Sequence, residues 1–568
     1  MKVLLAFPQC LEPRPPEDVA AVPMGLYTIG ALLKENGHQV DIVNLQGLED
    51  ASSRFRALLR EASPDLVGFS VLNANRWGAV AAARLAREWS PSVKIVLGGV
   101  AATFLWDHFL RHFPQVDCVV LGEGEFSFLN LVEALEKGGR ERLEGIRGIA
   151  WRKEGRPFRT EPAKRIEDLD VLPIPARYFT YRHVSLSRGC PGRCSFCGSP
   201  RFWGPKVRFH SPGYFVDQLE LLYRKGVTFF YFSDDMFTLK KDLALEVCRE
   251  IVRRGLDIAW YAISRVDCVD EELLCWMRRA GCIQISYGVE SGSPRIRKAL
   301  NKAIAREQIV DAFSLTTRYG ILARAYFIYG CPGETDETVE ETIRLIKEIR
   351  PLNVLFYALQ VFPGTDLYEE LAARLHLTDD VWLEPVEDIL YSQTDPALPA
   401  EKMLEFRKKL RETFHGELPR FAESLQVADL PELYPLHSDF FSRLGMTFSH
   451  GDFARVEGIP RRDRTAAMLY RRALSYAPDP RAFLGLGILE QKAGNYRESA
   501  EVLAEGVEHF PENEPLRVCL AVSLMNLGDY QEALETLLKV RHSPEAQPHL
   551  AACRQALGLD PKEAGESR

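Results

Sequence analysis

The sequence predicts an α/β protein with an all-α tail, and three observations carry that reading. Residues 1–140 alternate short apolar runs with helical patterns, the mark of a doubly wound, Rossmann-like parallel sheet. Residues 183–380 repeat a strand–helix alternation that fits a partial (β/α)6 barrel of the TIM type. From residue 441 the period changes: "AGNY" at 493–496 returns as "LGDY" at 527–530, an offset of 34.

Taken in order, "KVLLAF" (2–7), "QVDIVNL" (39–45), "LVGFSV" (66–71), "KIVLGG" (94–99) and "CVVLGEGE" (118–125) read as buried parallel strands. Glycines follow two of them, at Gly98-Gly99 and Gly122/Gly124, where such sheets bind ligands. A full GxGxxG or lysine-tipped phosphate loop is absent. Residues 141–182 read as a connector, with "GIAWRKEGRPFRT" a hairpin turning at Glu154-Gly155. The barrel strands are "HVSLS", "VTFFYFS" (227–233), "IAWYAIS" (258–264), "CIQISYGVE" (282–290), "LARAYFIYG" (322–330) and "VLFYALQVF" (354–362). Residues 381–440 are a mixed helical linker with one helix near 400–415. Residues 441–560 carry Gly-Asn/Asp-Tyr at the first turn of each helical repeat, the tetratricopeptide signature; such repeats bury their faces only by stacking. Residues 561–568 read as a disordered tail.

Of the 568 residues 46% are hydrophobic and 26% charged, enough for several cores. The net charge of −8 is spread without a basic block, which argues against nucleic acid or a membrane surface as partner. "MKVLLAFPQC" is too short for a signal peptide, and no apolar run reaches the roughly 18 residues of a membrane span. The expected location is the cytoplasm, where a cysteine cluster is metal-binding or catalytic rather than a disulfide framework.

"SRGCPGRCSFCGSP" (187–200) puts Cys190, Cys194 and Cys197 in one Gly/Pro-rich loop straight after a strand. Thiolates suit zinc, copper(I) or iron–sulfur clusters. A structural zinc site wants four closed ligands, and a complete ferredoxin cluster also uses four cysteines. The candidate fourth ligand, His183, falls in the strand pattern seven residues upstream of Cys190. Three thiols favour a 4Fe-4S cluster with one open iron, with zinc and coincidence as the alternatives. Phe196 inside the loop either shields the cluster and a ligand's flat ring or simply packs.

CxxxCxFC after a first barrel strand resembles the radical S-adenosylmethionine superfamily. The resemblance implies that the open iron chelates the amino and carboxylate groups of S-adenosylmethionine. One electron then cleaves the S–C5′ bond to a 5′-deoxyadenosyl radical, which takes hydrogen from a substrate. It also implies that Ser233, Asp234 and Asp235, at the end of "FFYFSDD", receive the methionine amino group. By the same likeness Arg265 in "ISRVD" meets the carboxylate, and Glu290 in "SYGVESG" lies near the ribose or carboxylate. The alternatives are a helix cap for Asp234 or Asp235 and a plain Arg265–Glu290 pair. "YGCPGET" (329–335) and "VFPGTDLY" (361–368) resemble the two remaining loops of the subgroup, with Cys331 as a packing cysteine where the family has an apolar residue. Of Cys268, Cys275 and Cys282, spaced by seven, the last two read as packing positions rather than ligands of a second cluster.

"VPMGLYTIGALLKENGHQVDIVNL", "PDLVGFSV", "KIVLGGVAATF" and "VDCVVLGEGEFSFLNLVEAL" resemble the cobalamin-binding domain fused to radical enzymes of the class B methyltransferase type. With the barrel, the likeness covers roughly residues 1–380. One departure stands out: the Asp-x-His-x-x-Gly loop is absent, and His38, His108 and His112 do not stand in that context. No protein imidazole is therefore expected on cobalt's lower face. The nucleotide tail is expected along the sheet edge, lined by Ser70, Gly98, Gly99 and Gly122, unless these glycines only turn the chain. The implied function is a cobalamin-dependent radical enzyme that methylates an unactivated carbon, methylcobalamin delivering the methyl group. A cyclase or rearrangement enzyme with the same cofactors, and a non-catalytic iron–sulfur scaffold, are the alternatives. The implied partners are a small-molecule or peptide substrate and an external one-electron reductant. The repeats either bind a protein or peptide in their groove or act as a cap.

Overall fold

The computed structural model describes residues 1–10, 24–138 and 140–559; the expected tail 561–568 lies outside them. The first domain comprises β1 (Lys2–Phe7), α1 (Met24–Glu35), β2 (Gln39–Asn44), α2 (Ala51–Ala62), β3 (Leu66–Ser70), α3 (Arg76–Trp89), β4 (Lys94–Gly98), α4 (Val100–Phe104), α5 (Trp106–His112), β5 (Cys118–Val120) and α6 (Glu125–Glu136). Its parallel strands run in the order β2-β1-β3-β4-β5. In sheets of this order ligands bind beyond the carboxyl ends, at the switch point. β1 is buried along nearly its whole length, as a central strand covered on both faces must be.

The segment 141–182 is more than a connector. β6 (Ile149–Lys153) pairs antiparallel with β5, and β7 (Arg156–Arg159) pairs with β6, so the hairpin extends the first sheet to seven strands. Its turn lies at Glu154-Gly155, both at positive φ.

The second domain holds β8 (His183–Val184), β9 (Ser187–Arg188), α7 (Ser199–Trp203), β10 (Arg208–Phe209), α8 (Pro212–Arg224), β11 (Phe229–Phe232), α9 (Lys241–Arg253), β12 (Ala259–Ser264), α10 (Glu271–Arg279), β13 (Cys282–Glu290), α11 (Pro294–Ala299), α12 (Arg306–Arg318), β14 (Leu322–Tyr329), α13 (Asp336–Ile349) and β15 (Asn353–Ala358). Six parallel strands, ordered β8-β11-β12-β13-β14-β15, form the open barrel. The first expected strand is short: only His183–Val184 joins it, while Ser187–Arg188 turns away to pair with β10. Helix entries follow from sequence; Ser211 and Asp270 each accept a backbone N–H in the first turn of α8 and α10.

The expected linker 381–440 divides between two neighbours. After β16 (Gln360–Val361) and α14 (Asp366–Leu375), a strap over residues 379–388 crosses to the first domain. There Arg76 reaches the carbonyls of Val386 and Glu387 and stacks 4.8 Å from the ring of buried Trp382, while Trp77 donates to the Glu384 carbonyl. β17 (Ile389–Leu390) returns the chain to β16, and α15 (Ala400–Glu423) lies on α13 and β15. The helical array starts earlier than the signature suggests, with α16 (Tyr434–Ser449) paired to α17 (Arg462–Leu474). α18 (Pro480–Lys492), α19 (Tyr496–His509), α20 (Glu514–Leu527), α21 (Tyr530–Leu538) and α22 (Gln547–Ala556) continue the stack. No helix of the described residues is long and apolar enough to cross a membrane.

Candidate active site between sheet and barrel

The cysteine loop is held from several sides. Ser195 N–H donates to the Leu300 carbonyl (3.0 Å), Leu367 N–H to the Ser195 carbonyl (2.8 Å) and Asn301 Nδ2 to the Arg193 carbonyl (2.6 Å). Cys190, Cys194 and Cys197 are each half-buried. A Cβ placed on Gly192 would lie 3.3 Å from Cys190 Sγ and 3.9 Å from Cys194 Sγ, so both sulfurs turn to one side of the loop. Among the described residues, the one trio of ligand atoms within 4.8 Å of one another lies elsewhere. At least one pair of the three sulfurs therefore lies more than 4.8 Å apart, wider than the roughly 3.8 Å between sulfur ligands of a tetrahedral zinc with ~2.3 Å bonds. That wider spread and the missing fourth donor fit a cluster with an open corner. Phe196 packs half-buried against the main core.

At the ends of the barrel strands the structure sorts the expected residues. Asp234 is the most buried of the three at the end of β11. It is 1% exposed, and its carboxylate accepts from Leu186 N–H (3.1 Å), Ser187 N–H (2.6 Å) and the Ser187 hydroxyl (2.5 Å). Burial pushes its carboxyl up to about 6 despite these donors. Asp234 therefore ties the strand end to residues 185–187, just before the cysteine loop, and does not cap a helix. Asp235 accepts from the Ser199 hydroxyl. Ser233 Oγ lies 2.9 Å from His183 Nδ1, and the half-buried His183 ring stacks on Tyr231.

Arg265 and Glu290 do not pair with each other. Arg265 donates to both carboxylate oxygens of Asp267 (2.9 and 2.8 Å) and to the Ala303 carbonyl, and its Nη1 would be 3.9 Å from a Cβ at Gly192. Glu290 is buried, stands at φ +65 in the left-handed region, and binds Lys302 Nζ at 2.8 Å. A non-glycine residue held in that conformation at a strand end is a strain that functional sites store. Gly288 makes the kink possible, since a Cβ there would lie 2.5 Å from Glu290 Oε1. Residues 300–303 thus tie the cysteine loop, Glu290 and Arg265 together, a role the sequence did not announce. Cys331 is fully buried; Cys275 and Cys282 sit in α10 and β13.

Two cavities face this strand end. One, about 190 Å³, lies at the carboxyl ends of β3, β4 and β5 and is lined by Ser70, Gly98, Gly99 and Gly122. The lining adds apolar Leu5, Val96, Val120 and Phe128, with Phe202 and Trp203 from the barrel side. It sits at the strand ends against α1 and α6. Gly99, at φ +95, allows the chain to pass close to β3: a Cβ there would fall 2.8 Å from the Val71 carbonyl oxygen. A bare, apolar, glycine-lined cradle fits the flat tail of a corrinoid. The other cavity, about 270 Å³, is bounded by Tyr27 of α1 and by His183, Ser187, Ser233 and Asp235 of the barrel. The two share Gly25, Glu125 and Trp203 as walls.

Buried ion pairs fix that boundary. Arg188 binds Glu123 (2.9 Å) and Glu125 (2.6 Å), and Arg208 binds Glu123 (2.7 Å). Burial alone raises Glu123, but Arg208 and Arg188 outweigh it and hold its carboxyl below the ordinary range. None of these four residues was singled out in the sequence.

Comparison with known proteins agrees with this geometry. The radical SAM superfamily model matches residues 184–346, the B12 binding domain model residues 19–132, and a tetratricopeptide repeat model residues 490–557. An uncharacterised methyltransferase of Pyrococcus horikoshii is 33% identical over 388 residues, 66% of this chain and 83% of that protein. The anaerobic magnesium-protoporphyrin IX monomethyl ester cyclase of Rubrivivax gelatinosus is 30% identical over 370 residues, 62% of this chain and 66% of its own length. Among solved structures, the methyltransferase TsrM of Kitasatospora setae, with cobalamin and a [4Fe-4S] cluster bound, superposes with a TM-score of 0.57 at 21% identity, over 66% of this chain and 74% of that one. The chain belongs to the cobalamin-binding members of the radical S-adenosylmethionine superfamily. It is an enzyme of that class, and its cofactors are a 4Fe-4S cluster, S-adenosylmethionine and cobalamin.

Proposed function

We propose that this enzyme transfers a methyl group to an unactivated carbon of its substrate. The observation that carries the reading is the shared wall of the two cavities, which sets a corrinoid cradle beside the mouth of the cysteine barrel. When bound, the cofactors supply radical and methyl-transfer chemistry; the protein's part is placement and exclusion of water. Cys190, Cys194 and Cys197 would hold the cluster. Arg265, beside the loop, would meet a carboxylate, and Ser233 and Asp235, on the cavity wall, an ammonium. Ser70, Gly98, Gly99 and Gly122 would receive the nucleotide tail. Phe196 keeps solvent from the loop, and Glu290 holds the kinked strand end through Lys302. Asp234 positions the loop without touching the ligand. We assign the domains as 1–160, 183–380 and 434–559, and the location as the cytoplasm, where a reductant for the cluster is at hand. The array would contact a protein or peptide.

The similarity to a cyclase gives the second reading, in which the same cofactors close a ring without methyl transfer. Incubation of oxygen-free, cofactor-loaded enzyme with S-adenosylmethionine deuterated at its methyl group decides between them. A product heavier by one labelled methyl is expected; a turned-over product without label overturns the methyltransferase assignment.

A further inference from the structure

His108 and His112, set aside above as lower ligands of cobalt, stand together on one face of α5. Two histidines four residues apart on a helix present their rings to a common point. The third member comes from far along the chain: Asp380, at the start of the strap, lies 3.2 Å from His112 Nε2. One nitrogen from each ring and one Asp380 oxygen all fall within 4.8 Å of one another.

The inner histidine makes this cluster unusual. His108 is 2% exposed, yet neither of its ring nitrogens has a hydrogen-bond partner. Buried polar groups are nearly always paired, so two orphaned nitrogens on one ring call for an explanation. Its ring lies 5.0 Å from that of His112 and 5.8 Å from that of Phe113. Asp107, paired with Arg111, and Asp379, which accepts from the Tyr368 hydroxyl, flank the patch, and the Arg76 guanidinium lies nearby.

We propose that His108, His112 and Asp380 bind a divalent zinc ion that fastens the strap to the first domain. Imidazole and carboxylate are zinc's ordinary ligands, and bonds of about 2.0–2.2 Å put tetrahedral donors roughly 3.3 Å apart. Small side-chain rotations close the present spacing to that value. His112 and Asp380 are 32% and 67% exposed, which leaves an entry path and room for a water in the fourth position. The site lies outside the linings of both cofactor cavities and is independent of the methyltransferase reading. Its role is structural, since it joins α5 to a segment more than 260 residues away that otherwise docks through Arg76 and Trp77.

The test uses the full chain with its iron–sulfur cluster loaded, so that Cys190, Cys194 and Cys197 are occupied, dialysed against zinc and then against metal-free buffer. Zinc and iron are counted in the same sample by mass spectrometry. About one zinc per chain is expected, with His112→Ala and Asp380→Asn each weakening it at least ~10-fold while iron and sulfide stay constant. Both substitutions lie at exposed positions and spare the packed His108. Retention of no zinc by the parent chain, or retention by either variant equal to the parent's, overturns the proposal.

Discussion

Asp234 and Glu334 are both buried carboxylates near the strand ends, and both serve backbone donors rather than cations. Glu334 accepts the N–H groups of Gly330 and Cys331. Burial raises its carboxyl from 4.5 to about 7, the two donors offsetting only part. Across that window the folded chain holds the proton more tightly than the unfolded chain does. Its contribution to stability is therefore complete below about 4.5 and lost as pH rises through 7, a difference of about 3 kcal/mol. Glu334→Gln keeps an acceptor for both N–H groups without the charge. Its melting temperature is expected to match the parent near pH 5 and to exceed it at pH 8; parallel profiles would contradict the assignment. Local spacing made the cysteines legible, since Cys190, Cys194 and Cys197 act within one loop. The partners of Asp234, Leu186 and Ser187, lie almost fifty residues upstream, where no local pattern shows them. A carboxylate at a strand end looks the same in sequence whether it faces a ligand or a loop.

At the scale of elements, the strand ends were legible and the ties between them were not. β13 matches its expected bounds, and the positive φ at Glu290 falls inside "SYGVESG". The contacts of Arg188 and Arg208 with Glu123, in the turn before α6, join segments more than sixty residues apart. No periodicity encodes such contacts, because they depend on how two separately patterned domains meet. The same limit explains the hairpin read as a connector: β6 and β7 show a turn signal, but nothing local says which sheet edge they extend. The ion pairs also yield a prediction. Arg208 is 3% exposed, and its loss leaves buried Glu123 with Arg188 alone, which Glu125 also claims. Breaking a buried pair from one side costs about 3–5 kcal/mol. Arg208→Ala is expected to lower the melting temperature and speed proteolysis between residues 160 and 183, while Glu167→Ala, on an exposed pair with Lys206, changes neither. Equal effects of the two substitutions would remove the network from its role in holding the domains.

For the molecule as a whole, the array divides into a part fused to the barrel and a part that is not. Phe440, Phe441, Leu444 and Phe448 of α16 belong to the same apolar cluster as Leu273 and Met277 of α10. Leu516, Leu524, Leu537 and Leu550 form a separate cluster. Arg278 of α10 is 1% exposed and donates to Asp439 (2.7 Å) and to the Leu436 carbonyl, both on α16. The surrounding residues Tyr261, Gln284 and Leu322 come from early positions in β12, β13 and β14. The array therefore closes the amino ends of the barrel strands, opposite the cysteines, which favours a cap over a wall of the active site. Removing α16 would strip the cluster of four large apolar side chains and leave Arg278 buried without its carboxylate, a loss of about 3–5 kcal/mol from the ion pair alone. A domain stable by about 5–15 kcal/mol cannot absorb both. Stacked repeats touch only their neighbours, so cutting further out should leave the barrel intact. A chain ending at Pro511 is expected to stay soluble, load iron as the parent does and cleave S-adenosylmethionine at an unchanged rate. A chain ending at Leu433 is expected to aggregate on expression. If the longer chain loses its iron, the distal helices reach the active site after all; if the shorter one folds and loads its cluster, α16 is not part of the barrel's core.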